Sequence, residues 1–87
     1  MQKSEPLFDL IKSLTKSEKR FFKIYSSRHV IGNENNYVKL FDAINQQPIY
    51  NETALLQRFK TQKFAKRLSV AKTYLYELIL KSMNACH

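Results

Sequence analysis

The residues best suited to chemistry form a basic block in the second half of the chain. The block contains six cationic residues, namely Arg58, Lys60, Lys63, Lys66, Arg67 and Lys72. No acidic residue lies from Thr53 through Tyr76, so the charge of the block is unopposed within that stretch. Cationic side chains of this kind neutralise phosphates with release of counterions, and they also attract acidic proteins. The block is therefore a candidate contact for nucleic acid or for an acidic partner, although a solvated helical face has the same pattern.

A second basic set lies near the start of the chain, at Lys12, Lys16, Lys19 and Lys23. Their spacings of four, three and four place them on one helical face if the helix break near Ser13 is small. A stripe of lysines on its own is more typical of a solvated face than of a binding site.

Composition restricts the class of protein. The 87 residues include 15 Lys+Arg and 7 Asp+Glu, with a net charge of +8 and a hydrophobic fraction of 44%, which is typical of one small folded domain. The only cysteine, Cys86, has no partner for a disulfide, and with His29 and His87 it provides too few ligands for a closed zinc site. No phosphate-binding glycine loop or nucleophile elbow is present. We expect no enzymatic activity, no cofactor and no small-molecule substrate.

The sequence also predicts a soluble, cytoplasmic protein with no membrane partner. The N-terminus lacks the layout of a secretory signal, and no apolar run approaches the ~18 residues that a membrane span requires.

The elements that position these residues are predicted to be helices. One glycine and two prolines interrupt the chain, and apolar residues recur at spacings of three and four, which favours an all-α bundle of four to five helices. The first helix is predicted to follow Ser4 and to end near Ser13. Thr15 and Glu18 form a capping box that predicts a second helix, running to about Arg28. A loop is predicted over 29–36, followed by a helix that is capped by Asn36 and stops before Pro48. The next helix is predicted to be capped by Asn51 and to end near Lys60. The last helix is predicted to begin at Gln62 or Phe64.

The last helix is predicted to be the longest, and it is apolar over more than one face. Its core stripe is predicted to contain Phe64, Leu68, Ala71, Leu75, Leu78, Ile79 and Cys86. Val70, Tyr76 and Leu80 lie off this stripe and form a candidate protein interface. We expect a second neighbour there: the first helix, another copy of the chain, or a following segment. Tyr74 and Tyr76 are predicted to point to different sides of the helix, so at least one of them should contact something other than the main core.

The second half also has the order of a helix-turn-helix unit, with a short helix, a brief turn and then a basic helix. In that arrangement Lys63, Lys66 and Arg67 would lie at the leading end of a helix that enters the major groove. The polar residues nearby form no diagnostic base-reading pattern, and three successive helices are also common in simple bundles.

Several stretches resemble the N-terminal region of a family of uncharacterised proteins from Bacteroidetes. They are residues 10–23 (LIKSLTKSEKRFFK), 27–32 (SRHVIG), 36–44 (NYVKLFDAI), 68–72 (LSVAK) and 75–82 (LYELILKS). Members of that family are longer, and their later part is similar to tetratricopeptide hairpins, which serve as protein-binding scaffolds. The resemblance implies that residues 1–87 are one domain at the start of a longer bacterial protein, with no catalytic residue or cofactor.

Two functional hypotheses remain open. The first is a non-enzymatic helical module for protein binding or self-association. The second is a nucleic-acid-binding domain that uses the basic 58–72 segment.

Overall fold

The chain folds as a small helical bundle with a long C-terminal helix. A computed structural model describes residues 5–29 and 34–85, which contain no β-strand. The helices within these ranges are α1 (Pro6–Ser13), α2 (Lys16–His29), α3 (Glu34–Gln46), α4 (Glu52–Arg58), a 3₁₀ helix (Lys63–Arg67) and α5 (Leu68–Ala85). The predicted all-α fold, the number of helices and the long last helix are confirmed.

Capping residues define two helix starts as predicted. The Thr15 backbone N–H donates to Glu18 Oε1 at 2.7 Å, and the Glu18 N–H donates to Thr15 Oγ1 at 3.1 Å, which is the reciprocal capping box of α2. Asn51 Oδ1 accepts from the Ala54 N–H at 3.0 Å and caps α4. Each cap satisfies backbone donors that a helix start leaves unpaired.

The predicted cap of the third helix is wrong. α3 begins at Glu34, so Asn36 lies inside its first turn instead of preceding it. Backbone hydrogen bonding, and not residue type, sets where a helix starts, and here the helical backbone already includes the two residues before Asn36. His29, predicted to begin a loop, is the last residue of α2.

The last helix also differs from the prediction. α4 ends at Arg58 instead of near Lys60, and the segment Lys63–Arg67 is a 3₁₀ helix that precedes α5. The predicted order of short helix, turn and long helix is present. Its leading basic residues, however, lie on the 3₁₀ helix and not on the long helix itself.

One core joins all five α-helices. Its largest members include Phe22 and Phe41, whose rings stack with centroids 4.6 Å apart between α2 and α3. The predicted stripe of α5 supplies buried side chains at Leu68, Ala71, Leu75, Leu78 and Ile79. Phe64 packs against this core while partly exposed, and Cys86 lies outside the described residues.

α2 and α5 pack against each other, and each contributes a fully buried serine. The Ser82 hydroxyl donates to the Ile79 carbonyl oxygen at 2.7 Å, whereas the buried Ser26 hydroxyl oxygen has no hydrogen-bond partner among the described residues. One face of α5 is thus fully enclosed, and its opposite face remains available at the surface.

Candidate functional site

Four cations of the predicted block form an exposed cluster, which we call the basic turn: Lys60, Lys63, Lys66 and Arg67. Lys60 lies in the turn after α4, and the other three lie on the 3₁₀ helix. None of the four forms an ion pair with a carboxylate in the part of the chain that the structure describes. The basic turn is therefore free to meet an anionic partner.

Arg58 lies at the edge of this cluster and makes two weak contacts. Its Nη1 lies 3.4 Å from Gln46 Oε1, and its guanidinium carbon lies 5.8 Å from the centroid of the Phe59 ring. The Arg58 side chain stays exposed despite these two contacts.

Lys72 does not belong to the exposed cluster, and the prediction that its charge is unopposed is wrong. Its Nζ lies 2.7 Å from Glu52 Oε1 and 3.3 Å from Glu5 Oε2, and it donates to the Tyr50 hydroxyl at 3.1 Å. Only 15% of its side chain is exposed. The acids come from the first turn of α4 and from the residue before α1, so folding supplies what the neighbouring sequence lacks.

The turn between α3 and α4 positions these partners. The Gln47 side-chain amide donates to the Asn51 carbonyl oxygen, and the Asn51 backbone N–H donates to Gln47 Oε1, both at 3.0 Å. This reciprocal pair closes the turn that carries Tyr50. The Phe8 ring then packs edge-on against Tyr50 with centroids 6.0 Å apart, which directs the tyrosine toward Lys72.

The proton affinities of the three groups reflect this packing. Burial raises the pKa of Tyr50 to about 12, and the hydrogen bond to Glu52 acts in the same direction. Hydrogen bonds from Lys72 and Tyr50 lower the pKa of Glu52. Burial alone would lower the pKa of Lys72, but its hydrogen bonds with Glu52 and Tyr50 outweigh burial, so the pKa lies above its ordinary value. At neutral pH Lys72 is therefore positively charged, Glu52 is negatively charged and Tyr50 is neutral. The three groups form a structural cluster around the ion pair of Lys72 and Glu52.

Three lysines of the first basic set contact α3. Lys12 Nζ donates to the Asn45 carbonyl oxygen at 2.7 Å, and Lys19 Nζ donates to Asn45 Oδ1 at 2.7 Å. Lys23 forms an ion pair with Asp42 at 2.7 Å. The last turn of α3 contains no basic residue of its own, so α1 and α2 supply the cations that a helix C-terminus favours. We call Lys12, Lys19 and Lys23 the inward lysines.

An exposed apolar surface follows the basic turn along α5. Val70 is 62% exposed, Leu80 is 43% exposed and Tyr74 is 41% exposed. At about 100° per residue the three lie within a sector of about 120°, opposite the buried stripe. We call Val70, Tyr74 and Leu80 the outer face of α5. A shallow groove of about 380 Å³ runs along part of it, lined by Ser69, Val70, Thr73, Tyr74 and Glu77.

Tyr76, which was predicted to belong to this interface, has a different environment. It is half-buried, packs against the core and lines a groove with Pro6 and Leu7 at the start of α1. The second neighbour predicted for the last helix is therefore the first helix at Tyr76. Val70 and Leu80 have no such neighbour and stay exposed.

Tyr74 is the interface residue that the sequence left unsettled. Its ring packs against the Tyr37 ring of α3 with centroids 4.6 Å apart, so it is held in place while 41% exposed. A fixed aromatic ring loses little conformational freedom on binding. The spacing of four residues from Val70 to Tyr74 was the available signal in the sequence.

Comparisons with protein-family models, with curated proteins and with solved structures found no match. Among the described residues, no helix is long and apolar enough to cross a membrane. The same residues contain no group of three His, Cys, Asp or Glu side chains that would hold a metal ion.

Proposed function

We propose that this chain is a non-enzymatic helical module that binds another protein chain through the outer face of α5. The observation that carries the proposal is the exposure of Val70 and Leu80 on a helix whose opposite face is completely buried. Burying each of these side chains against a partner would stabilise a complex by about 1 to 2 kcal/mol.

The arrangement of these side chains supports protein binding more than isolated surface residues would. Single exposed apolar residues are normal on any protein. Here three of them share one helix face, and the aromatic member is fixed by the Tyr37 ring. Tyrosine is enriched at protein interfaces because it combines a large apolar ring with a hydrogen-bonding hydroxyl.

The experiment tests self-association and binding to a different protein separately. Sedimentation equilibrium over a range of concentrations measures self-association. Panning a displayed library of helical peptides against the wild-type chain selects other partners. The double variant Val70→Glu/Leu80→Glu should weaken the complexes by at least about tenfold, because a carboxylate placed in an apolar contact must be desolvated.

Ile49→Glu is the matched control, because Ile49 is also 62% exposed but lies in the turn before α4. We expect it to bind like the wild type, with equal helix content by circular dichroism in all variants. A chain that stays monomeric and selects no peptide sensitive to Val70→Glu/Leu80→Glu contradicts the proposal.

The second candidate function is nucleic-acid binding by the basic 58–72 segment, favoured by the four cations of the basic turn, which form no ion pair with a described residue. The inward lysines and Lys72 already contact protein acceptors, so they are less available to phosphates than the basic turn. A gel-shift titration with duplex and single-stranded nucleic acid at low salt tests this function. A complex that weakens steeply with salt supports it, and the absence of a complex contradicts it.

The cellular setting is also a proposal. The resemblance to the Bacteroidetes proteins supports a cytoplasmic, bacterial protein in which this domain precedes tetratricopeptide-like repeats. Those repeats bind proteins, which agrees with a docking role for the domain.

A further inference from the structure

The basic turn lies directly before the outer face of α5 along the chain. Arg67 is the last residue of the 3₁₀ helix, and Val70 is the third residue of α5. At the rise of an α-helix the two are separated by only about 4.5 Å along the axis. A partner that covers Val70 therefore reaches the basic turn as well.

The charge on this surface is concentrated at one end. Neither the 3₁₀ helix nor the first turn of α5 contains an acidic residue. No described carboxylate pairs with the cations of the basic turn, and the helix dipole of α5 adds a partial positive charge of the same sign. Farther along α5 the charge is balanced, because Glu77 and Lys81 are both exposed there. The surface thus changes from strongly positive to neutral and apolar.

One observation favours a protein partner over a phosphate backbone. Val70, Tyr74 and Leu80 would remain exposed beside a nucleic acid that contacts only cations. A segment that combines carboxylates with apolar side chains satisfies both parts of the surface.

We propose that the partner is an acidic, amphipathic helical segment of another protein. It places carboxylates against Lys63, Lys66 and Arg67, and its apolar side chains cover Val70, Tyr74 and Leu80. This inference rests on the proposed function and specifies the chemistry of the partner. The distance from Val70 to Leu80 is about 15 Å along the helix, which corresponds to about three turns of a partner helix.

The test is a peptide library of about 15 residues with a fixed helical apolar pattern and with Glu, Lys or Ser at each remaining position. After panning on the wild-type chain, we expect enriched peptides to have acidic residues clustered at one end. Their binding, measured by fluorescence anisotropy, should weaken by at least about tenfold in Lys63→Glu/Lys66→Glu. It should also weaken between about 50 mM and about 500 mM NaCl.

The matched control is Lys16→Glu/Lys39→Glu, which produces the same net charge by reversing two exposed lysines on α2 and α3. We expect it to retain affinity within about twofold, because neither lysine belongs to the basic turn or to the outer face of α5. Equal loss of affinity in both double variants shows that only the net charge matters and overturns the inference.

The remaining outcomes separate the inference from the proposed function. Enriched peptides without acidic bias that still lose affinity in Val70→Glu/Leu80→Glu overturn the acidic partner and leave protein binding intact. If no peptide depends on the outer face of α5, the acidic partner is overturned, and if the chain also stays monomeric, the proposed function is overturned as well. Binding of duplex DNA that is abolished by Lys63→Glu/Lys66→Glu, with no peptide binding, replaces the inference with nucleic-acid recognition.

Discussion

The two lysine-rich regions of this chain have similar composition but different surroundings. The inward lysines donate to acceptors on α3 at 2.7 Å. The cations of the basic turn have no such acceptor in the described part of the chain. The difference shows that a count of charges says little about which of them are available to a partner.

The physical reason is the position of helix ends. Lys12 and Lys19 contact Asn45 in the C-terminal turn of α3, where unpaired carbonyl groups attract cations, and Lys23 forms an ion pair with Asp42 one turn earlier. The basic turn instead precedes the N-terminus of α5, where cations are unfavourable unless an anion is present. The same side chain type therefore stabilises the fold in one region and is left for a ligand in the other.

The largest loss of stability is expected on substitution of Lys72. This residue lies in the basic block of the sequence but, like the inward lysines, it contacts acceptors within the protein. Lys72→Met should lower the free energy of unfolding by about 2 kcal/mol, because it removes a mostly buried cation from two carboxylates. Urea denaturation measures the change. Lys66→Met is the control and should stay within about 0.5 kcal/mol of the wild type. Equal effects at the two positions would contradict the distinction.

A smaller loss of stability is expected at Asn45, which accepts hydrogen bonds from two inward lysines. Asn45→Ala removes the Oδ1 acceptor of Lys19 and should lower the free energy of unfolding by about 1 kcal/mol, while the backbone acceptor of Lys12 remains. Thermal unfolding measures the loss. Asn84→Ala controls for the change in helix propensity, because Asn84 is exposed on α5. A variant that is as stable as the Asn84→Ala control would show that the Asn45 side chain contributes nothing.

The pH dependence of stability distinguishes the partly buried cluster of Lys72, Glu52 and Tyr50 from the exposed cations. The pKa of Tyr50 is raised from 10.0 to about 12 in the folded chain, so its stabilisation is complete below pH 10 and is lost as the pH rises toward 12. The raised pKa of Lys72 acts in the same direction at alkaline pH. The pKa of Glu52 is lowered, so its contribution is lost on acidification below its ordinary value of 4.5.

Tyr50→Phe tests this assignment, because it removes the titrating hydroxyl and retains the ring that Phe8 contacts. We expect the decline in the free energy of unfolding from pH 10 to pH 12 to be shallower in the variant than in the wild type. Denaturant titrations at several alkaline pH values give the slope. Identical slopes would exclude Tyr50 as a source of the alkaline loss.

The smallest effect on stability is expected in the basic turn. Lys63→Ser/Lys66→Ser should change the free energy of unfolding by no more than about 0.5 kcal/mol, because both side chains are exposed and make no ion pair with a described residue. The same variant should lose binding to acidic peptides. A loss of stability as large as that of Lys72→Met would show that the basic turn serves the fold and not a partner.

Local signals in the sequence predicted the helix starts well. The Thr15–Glu18 box and the Asn51 cap depend on residues three apart, so their hydrogen bonds are encoded within one turn of chain. Asn36 has the same side chain type as Asn51, yet it lies inside α3. Residue type alone therefore indicates a cap without fixing which of several polar residues serves as one.

Contacts between distant parts of the chain were not predictable in this way. Glu5 is 67 positions from Lys72 and Glu52 is 20 positions from it, so counting charges near Lys72 could not find them. The environment of Tyr76 was not predictable either, because its contact with α1 depends on how the first and last helices pack. The exposure of Val70 and Leu80 was predictable, since it follows from the helical period of α5 itself.

The bond between Glu5 and Lys72 also has a consequence for how long a folded molecule persists. It joins the residue before α1 to α5 across 67 positions, and because closing so long a loop is costly, we expect it to form after the folding barrier. An interaction made after the rate-limiting barrier slows unfolding without speeding folding. In stopped-flow experiments, Glu5→Gln should therefore increase the unfolding rate and leave the refolding rate unchanged. An equal effect on both rates would place this contact in the folding nucleus instead.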